Sequence, residues 1–285
     1  MAVQATRSIY IAKSVSDAVT ALTDHGPSAE LFAGGTWVMR GPLRQETEPR
    51  FYVALSKVKE LSVVTVSDDD VSIGACVTHA ALAEALDGMP DMSALATAAA
   101  KSANPAIRRV ATVGGNLSTM GFSAADLVPA MLCLDAEVEV TSQAGIERLP
   151  LAAYLQRRAA AAPSGVMTRA IIRRSGARSA HARLPLRKAG DYPVAILSVA
   201  VDRRPDGLIE VARVAVGSVE TVARRWHALE DAMTGAALVP HRIAGQAAEL
   251  LEDFDARDGI EAEGWYRLKV LPTLARRALE TIAQQ

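Results

Sequence analysis

Through the first 175 residues, short apolar runs alternate with amphipathic stretches, and the runs have strand length. Residues 8–11 read as a strand. Residues 14–25 follow as a helix, with Ser14 or Ser16 placed to cap it and Gly26-Pro27 to stop it. Residues 29–32 form a brief buried strand that enters the turn Ala33-Gly34-Gly35-Thr36, and 51–55 form another. Residues 61–66 and 71–77 flank Ser67-Asp68-Asp69-Asp70, a hairpin signal. Helices are expected from Thr78 or His79 to Leu86 and over 92–102, the second ending at Asn104-Pro105. Residues 108–123 read as a long glycine-containing connection. Then come a helix over 124–134, a hairpin pairing 137–141 with 146–149, a helix over 151–158, a loop over 159–165 and a strand over 166–173.

From Ser175 the pattern changes. Runs over 183–188, 194–202 and 208–219 have little helix between them, and Arg204-Pro205-Asp206-Gly207 is a turn joining the last two. They predict an antiparallel meander, closed by helices over 223–233, 242–251 and 265–283. Strands followed by helices describe an α+β domain, and the main boundary falls near 175.

Composition narrows the function. The 285 residues are half apolar, and 31 Lys+Arg against 32 Asp+Glu leave a formal charge of −1. No basic surplus drives binding to nucleic acid, and aromatics at 4% make base-stacking platforms a poor expectation. No apolar run suits a secretory signal or a membrane span, so a cytoplasmic location is expected. Cys76 and Cys133 stand apart without a CxxC, short of the four thiolates an iron–sulfur cluster usually takes. Both lie in apolar contexts and read as buried, inert thiols. Any redox centre must therefore be a bound organic cofactor. The histidines show no HxxxH or HExxH spacing, so no metal site is expected. His79 reads as a cap or surface residue, and the doublets Arg108-Arg109, Arg157-Arg158, Arg173-Arg174 and Arg224-Arg225 as solvated faces or subunit contacts.

Two segments carry chemistry. In Ala33-Gly34-Gly35-Thr36 the glycines let backbone approach a ligand, successive N–H groups can form an anion nest, and Thr36 adds a hydroxyl. Thr112-Val113-Gly114-Gly115-Asn116 repeats the theme, with Asp126 opening a helix about ten residues on. Taken singly, each is as well read as an ordinary turn, and Asp126 as a helix first-turn acid. Together they suit a ligand with a diphosphate. Neither has Rossmann spacing, and no P-loop is present.

These motifs, the run 107–126 (IRRVATVGGNLSTMGFSAAD), Asp191-Tyr192-Pro193-Val194, Val216-Gly217-Ser218-Val219 and Trp265-Tyr266-Arg267 resemble the FAD-binding medium subunit of the molybdenum hydroxylases over nearly the whole chain. The resemblance implies an α+β fold: a two-lobed FAD-binding domain of PCMH type over 1–175, with lobes of about 1–57 and 58–175. A C-terminal α+β domain over 176–285, with an antiparallel sheet and helices, would follow, as in the CO dehydrogenase flavoprotein. It also implies that Ala33, Gly34, Gly35, Thr36, Trp37 and Val38 form the first pyrophosphate loop and Thr112, Gly114, Gly115 and Asn116 the second. Asp126 would lie by the ribose or adenosine, Ile107 and Val110 would line the flavin pocket, and Thr78 would add a contact. Lys188, Asp191 and Tyr192 fall in the segment approaching the isoalloxazine, where Tyr192 would stack.

The chain departs from the family's pattern at Trp37, at Gly121-Phe122-Ser123, and by one extra residue before Asp126. Arg183 rivals Lys188 for the family's lysine. The function implied is electron transfer through FAD without an acid–base residue of its own. The partners would be an iron–sulfur small subunit carrying [2Fe-2S] clusters and a molybdopterin large subunit, in a dimer of heterotrimers. The alternatives are a stand-alone FAD oxidoreductase and a flavin-free scaffold.

Overall fold

The computed structural model describes residues 8–45, 51–160 (backbone alone at 159 and 160), 165–186 and 192–285. The chain opens with β1 (Ser8–Ile11), α1 (Val15–His25), β2 (Ala29–Phe32) and β3 (Phe51–Ala54), which form a parallel sheet in the order β1-β3-β2. Ser14 starts α1 by accepting the Asp17 N–H at 3.1 Å, and Ala18, Val19 and Ala21 bury one face of the helix over a core that includes Val53. Parallel pairing needs a crossover between strands. Here α1 makes the first, and the connection from β2, with a 3-10 segment Val38–Arg44, makes the second. The Gly34-Gly35 turn thus lies at the carboxyl end of a parallel strand, where open sheets of this kind form ligand crevices.

The second lobe holds β4 (Val64–Val66), β5 (Asp70–Gly74), α2 (His79–Ala85), α3 (Ser93–Lys101), α4 (Pro105–Arg108), α5 (Val113–Ser118), α6 (Leu127–Cys133), β6 (Glu137–Ser142), β7 (Gly145–Pro150), α7 (Leu151–Ala160) and β8 (Val166–Arg173). Its strands pair antiparallel in the order β4-β5-β8-β6-β7. Their apolar face and the helices enclose Ile73, Leu82, Leu95, Leu117, Leu127 and Met131, all essentially without solvent exposure.

The third unit is β9 (Arg178–Pro185), β10 (Pro193–Arg203), β11 (Ile209–Gly217), β12 (Arg224–Arg225), α8 (His227–Met233), α9 (Pro240–Glu249) and α10 (Gly264–Gln284), with sheet order β12-β11-β10-β9, all antiparallel. β10 is buried on both faces. Val199 and Val201 belong to the core under α10, whereas Ala200 and Ala215 join the core of the second lobe. That placement explains a continuous apolar run where a one-sided strand would alternate.

Four expectations need correction. Residues 108–123 contain α5 and the end of α4, because Thr112 and Asn104 act as helix caps. The strand expected over 183–188 begins at Arg178, because the Ser179 hydroxyl, buried in that strand, donates to the Asp91 carbonyl and accepts the Ala94 N–H. Arg224 and Arg225 form an edge strand instead of a helix start, with Trp226 fully buried behind them. The arginine doublets are also not simply solvated. Arg225 contacts Asp135 and Glu230, and Arg158 donates to the Leu117 and Thr119 carbonyls.

Arg267 is a fully buried charge on α10. Its guanidinium donates to the carbonyls of Val194, Ser218 and Arg257 and contacts Glu261 at 3.0 Å. Arg267→Ala strands those groups and is expected to cost about 3–5 kcal/mol in urea unfolding. A loss below about 1 kcal/mol would show that the carbonyls find other partners.

Candidate functional site

Where the chain leaves β2, Gly34 presses against the second lobe: a Cβ there would lie 1.8 Å from the Val110 carbonyl oxygen. Gly35 has φ +68°, a conformation side chains rarely adopt, and a Cβ would also meet the Phe32 ring at 2.8 Å. Among the described residues, no group accepts a hydrogen bond from the backbone N–H of Gly34, Gly35, Thr36 or Trp37. Four consecutive free amides at the end of a parallel strand suit an anion. Val38 follows as the first residue of the 3-10 segment, and Ala33 is half-buried beside the turn.

The second motif is built differently, and its reading as an anion nest is overturned. Thr112 caps α5, and the N–H groups of Val113, Gly114, Gly115 and Asn116 donate to the Val77 carbonyl, the Ala75 carbonyl, the Thr112 hydroxyl and the Thr112 carbonyl. Gly114 is a packing glycine, since a Cβ would come within 2.8 Å of the Ala75 side chain. Gly115 is exposed, and its Cβ would meet only the Thr112 hydroxyl of its own cap, at 3.0 Å. A side chain at Gly115 would crowd that one hydroxyl and otherwise point away from the fold. The Thr112 hydroxyl retains a proton to donate. Asn116 accepts the Leu127 N–H through Oδ1, which leaves its NH₂. Thr78 caps α2 by accepting the Ala81 N–H and forms a bridge with Thr112. Ile107 is half-buried, and Val110 is exposed beside Gly34.

Three aromatic rings from distant segments meet at this crevice. Trp37 and Phe122 have ring centroids 4.7 Å apart, and Phe122 lies edge-on to Tyr192 at 5.5 Å. The Arg44 guanidinium lies 4.0 Å over the Trp37 ring, and Arg40 donates to the Tyr192 hydroxyl at 2.8 Å. Two departures from the family pattern, Trp37 and Phe122, are thus one feature in space. Sequence reasoning missed Arg40 and Arg158 as site neighbours and marked Phe122 only as part of a departure from the family's pattern.

Asp126 does not face the crevice as an open ribose acceptor. It is buried, makes no cap bond, and turns its carboxylate toward β9, where Arg183 Nε lies at 2.8 Å and His181 Nε2 at 3.6 Å. His79, expected as a cap or surface residue, is buried next to this pair, with Nδ1 2.7 Å from the Ser102 hydroxyl. Its Nε2, the Nε2 of His181 and Asp126 Oδ1 have no aligned hydrogen-bond partner. Lys188 and Asp191 lie outside the described residues. Cys76 and Cys133 are buried thiols, as expected, and burial raises the pKa of both, that of Cys76 to about 11. Among the described residues, no group of His, Cys, Asp and Glu is arranged to hold a metal ion, and no helix is long and apolar enough to cross a membrane.

The fold defines an α+β protein of two lobes and a third, antiparallel domain, with a row of free amides where the first lobe meets the second and three aromatic rings close by. Residues 3–172 match the family of the FAD binding domain in molybdopterin dehydrogenase, and residues 181–282 match the CO dehydrogenase flavoprotein C-terminal domain. The chain belongs to this family of FAD-binding oxidoreductase subunits. It is 28% identical over 273 residues to the 6-hydroxypseudooxynicotine dehydrogenase complex subunit alpha of Paenarthrobacter nicotinovorans, covering 94% of this chain and 92% of the relative. It is also 28% identical, over 274 residues, to the carbon monoxide dehydrogenase medium chain of Afipia carboxidovorans, covering 94% and 93%. The reconstituted CO dehydrogenase from Oligotropha carboxidovorans superposes with a TM-score of 0.90 at 26% identity, covering 99% of this chain and all of that one.

Burial lowers the His79 pKa from 6.5 to about 4, against the attraction of Asp126. The unfolded chain then takes up a proton that the folded ring refuses, so stability is full above pH 6.5 and lost as pH falls toward 4. Between about pH 7 and pH 5 the protein is expected to lose ~2 kcal/mol more than His79→Gln in urea titrations. Parallel curves would put the pH dependence elsewhere.

Proposed function

We propose that this chain is the electron-transferring FAD subunit of a heterotrimeric molybdenum hydroxylase, taking electrons from iron–sulfur clusters on one partner and passing them to an external acceptor. The observation that carries the reading is the row of free amides from Gly34 to Trp37 at the end of β2. They match the charge and size of a diphosphate, and the open surface at Gly115 admits one closely. The donors of Thr112 and Asn116, with Thr36 opposite, complete a polar wall. Ile107, Val110 and Thr78 border it on the second-lobe side.

Bound FAD would supply exchange of electrons singly and in pairs. The chain's own part is to hold the diphosphate on fixed amides, to set the aromatic face of Tyr192 against the ring system, and to keep water from its edge. Asp126 acts from behind, seating β9 and the Tyr192 segment on the second lobe through Arg183 and His181. Two buried cysteines cannot furnish a cluster's usual thiolates, so the clusters belong to another chain. The relatives named as a medium chain and as a complex subunit favour the same division of labour, with molybdopterin on a third chain.

The protein is expected to purify with, or take up, one FAD per chain, absorbing near ~450 nm. Gly115→Val should weaken FAD binding at least about tenfold while costing only about 1 kcal/mol of stability, since the one atom its Cβ crowds is the Thr112 cap hydroxyl. Unchanged FAD content in that variant would remove Gly115 from the site, and a colourless protein that refuses FAD would remove the reading itself. Affinity capture with iron and molybdenum analysis then separates a subunit of an assembly from a stand-alone flavoprotein.

A further inference from the structure

The rings at the crevice close a circuit of contacts. Trp37 packs on Phe122, Phe122 on Tyr192, and the Tyr192 hydroxyl accepts from Arg40 Nη1 at 2.8 Å. The backbone N–H of Arg40 donates to the Trp37 carbonyl at 3.0 Å, which returns the circuit to its start. Both ends of this clasp thus belong to the segment that carries and continues the free amides, and its middle belongs to the second lobe and to the segment before β10.

Two of its members have firm footings. The buried Ser218 donates its N–H to the Ser123 carbonyl and its hydroxyl to the Pro193 carbonyl, which anchors the residues next to Phe122 and next to Tyr192. Arg158 holds the start of the Phe122 loop through the Thr119 carbonyl. Arg40 is different: it is exposed, and its guanidinium carbon lies 5.9 Å from the Tyr192 ring centroid. An exposed arginine bonded to a phenol contributes little to folding, so its effect falls on where the ring is held.

We propose that Arg40 is a positioning residue: it fixes the Tyr192 ring across the crevice, beside the free amides, so that the ring lies against bound FAD and slows its release. This rests on the FAD reading above. Tyr192→Phe keeps the ring and deletes the hydroxyl, whereas Arg40→Ala keeps the tyrosine and deletes its tether, so the two should have one shared effect.

The test measures FAD release from the purified protein and the emission of bound flavin, which a stacked phenol ring quenches. Each single variant should release FAD about three- to tenfold faster, as expected for loss of one hydrogen bond. The double variant should be no faster than the faster single one, and Arg40→Lys should fall between Arg40→Ala and the unaltered protein. Flavin emission should rise in Arg40→Ala although Tyr192 is still present, and the unfolding midpoint of the FAD-free chain should not move. Unchanged release in the single variants, effects that multiply in the double, or a lowered FAD-free midpoint would each overturn the assignment. Failure of the unaltered protein to bind FAD would instead bring down the reading on which it rests.

Discussion

The approach of Gly34 to the Val110 carbonyl is the constraint on which the site depends. Gly34 meets the second lobe there through backbone, at a distance that leaves no room for a Cβ, beside a shared core in which Leu61, Cys76 and Val166 of the second lobe pack with Ala18, Val19 and Val53 of the first. The contact sets the start of the free-amide row, Gly34 to Trp37, against the second lobe and ties the loose end of a parallel strand to it.

The two Gly-Gly motifs look alike in sequence and act by different physics. In the first, glycine serves conformation and close approach, and the amides stay unpaired. In the second, every amide from Val113 to Asn116 is engaged, by the Val77 and Ala75 carbonyls or by the cap residue Thr112, Gly114 lets the chain pass Ala75, and Gly115 is exposed. The first motif thus offers free backbone donors, and the second the side-chain donors of Thr112 and Asn116.

The third domain brings Tyr192 to Phe122 of the second lobe and Arg40 of the first. Its seating combines Ala200 and Ala215, which enter the second-lobe core, with polar contacts: Arg213 meets the Cys133 carbonyl and the exposed Asp135, Arg225 meets Asp135, and the buried Asp126 faces Arg183 and His181. Such groups are costly to bury unless well matched, and a matched set favours one docking geometry over its neighbours. The arginine doublet at 224–225 was unreadable as part of this seam, because a charge pattern does not say which charges will be covered.

The sequence by itself determined the order of the elements, the α+β class, the two glycine turns, the capping of α1 and α2, and the burial of both cysteines. Each follows from local propensity or from a periodicity that spans a few residues. Tertiary structure alone decided the rest: that β9 starts at Arg178 because Ser179 finds partners 85 and 88 residues away, that Asp126 and His79 turn inward, and that Trp37 meets Phe122 and Tyr192. Those outcomes depend on which surfaces cover one another. A side chain's neighbours across such a seam leave no periodic trace along the chain.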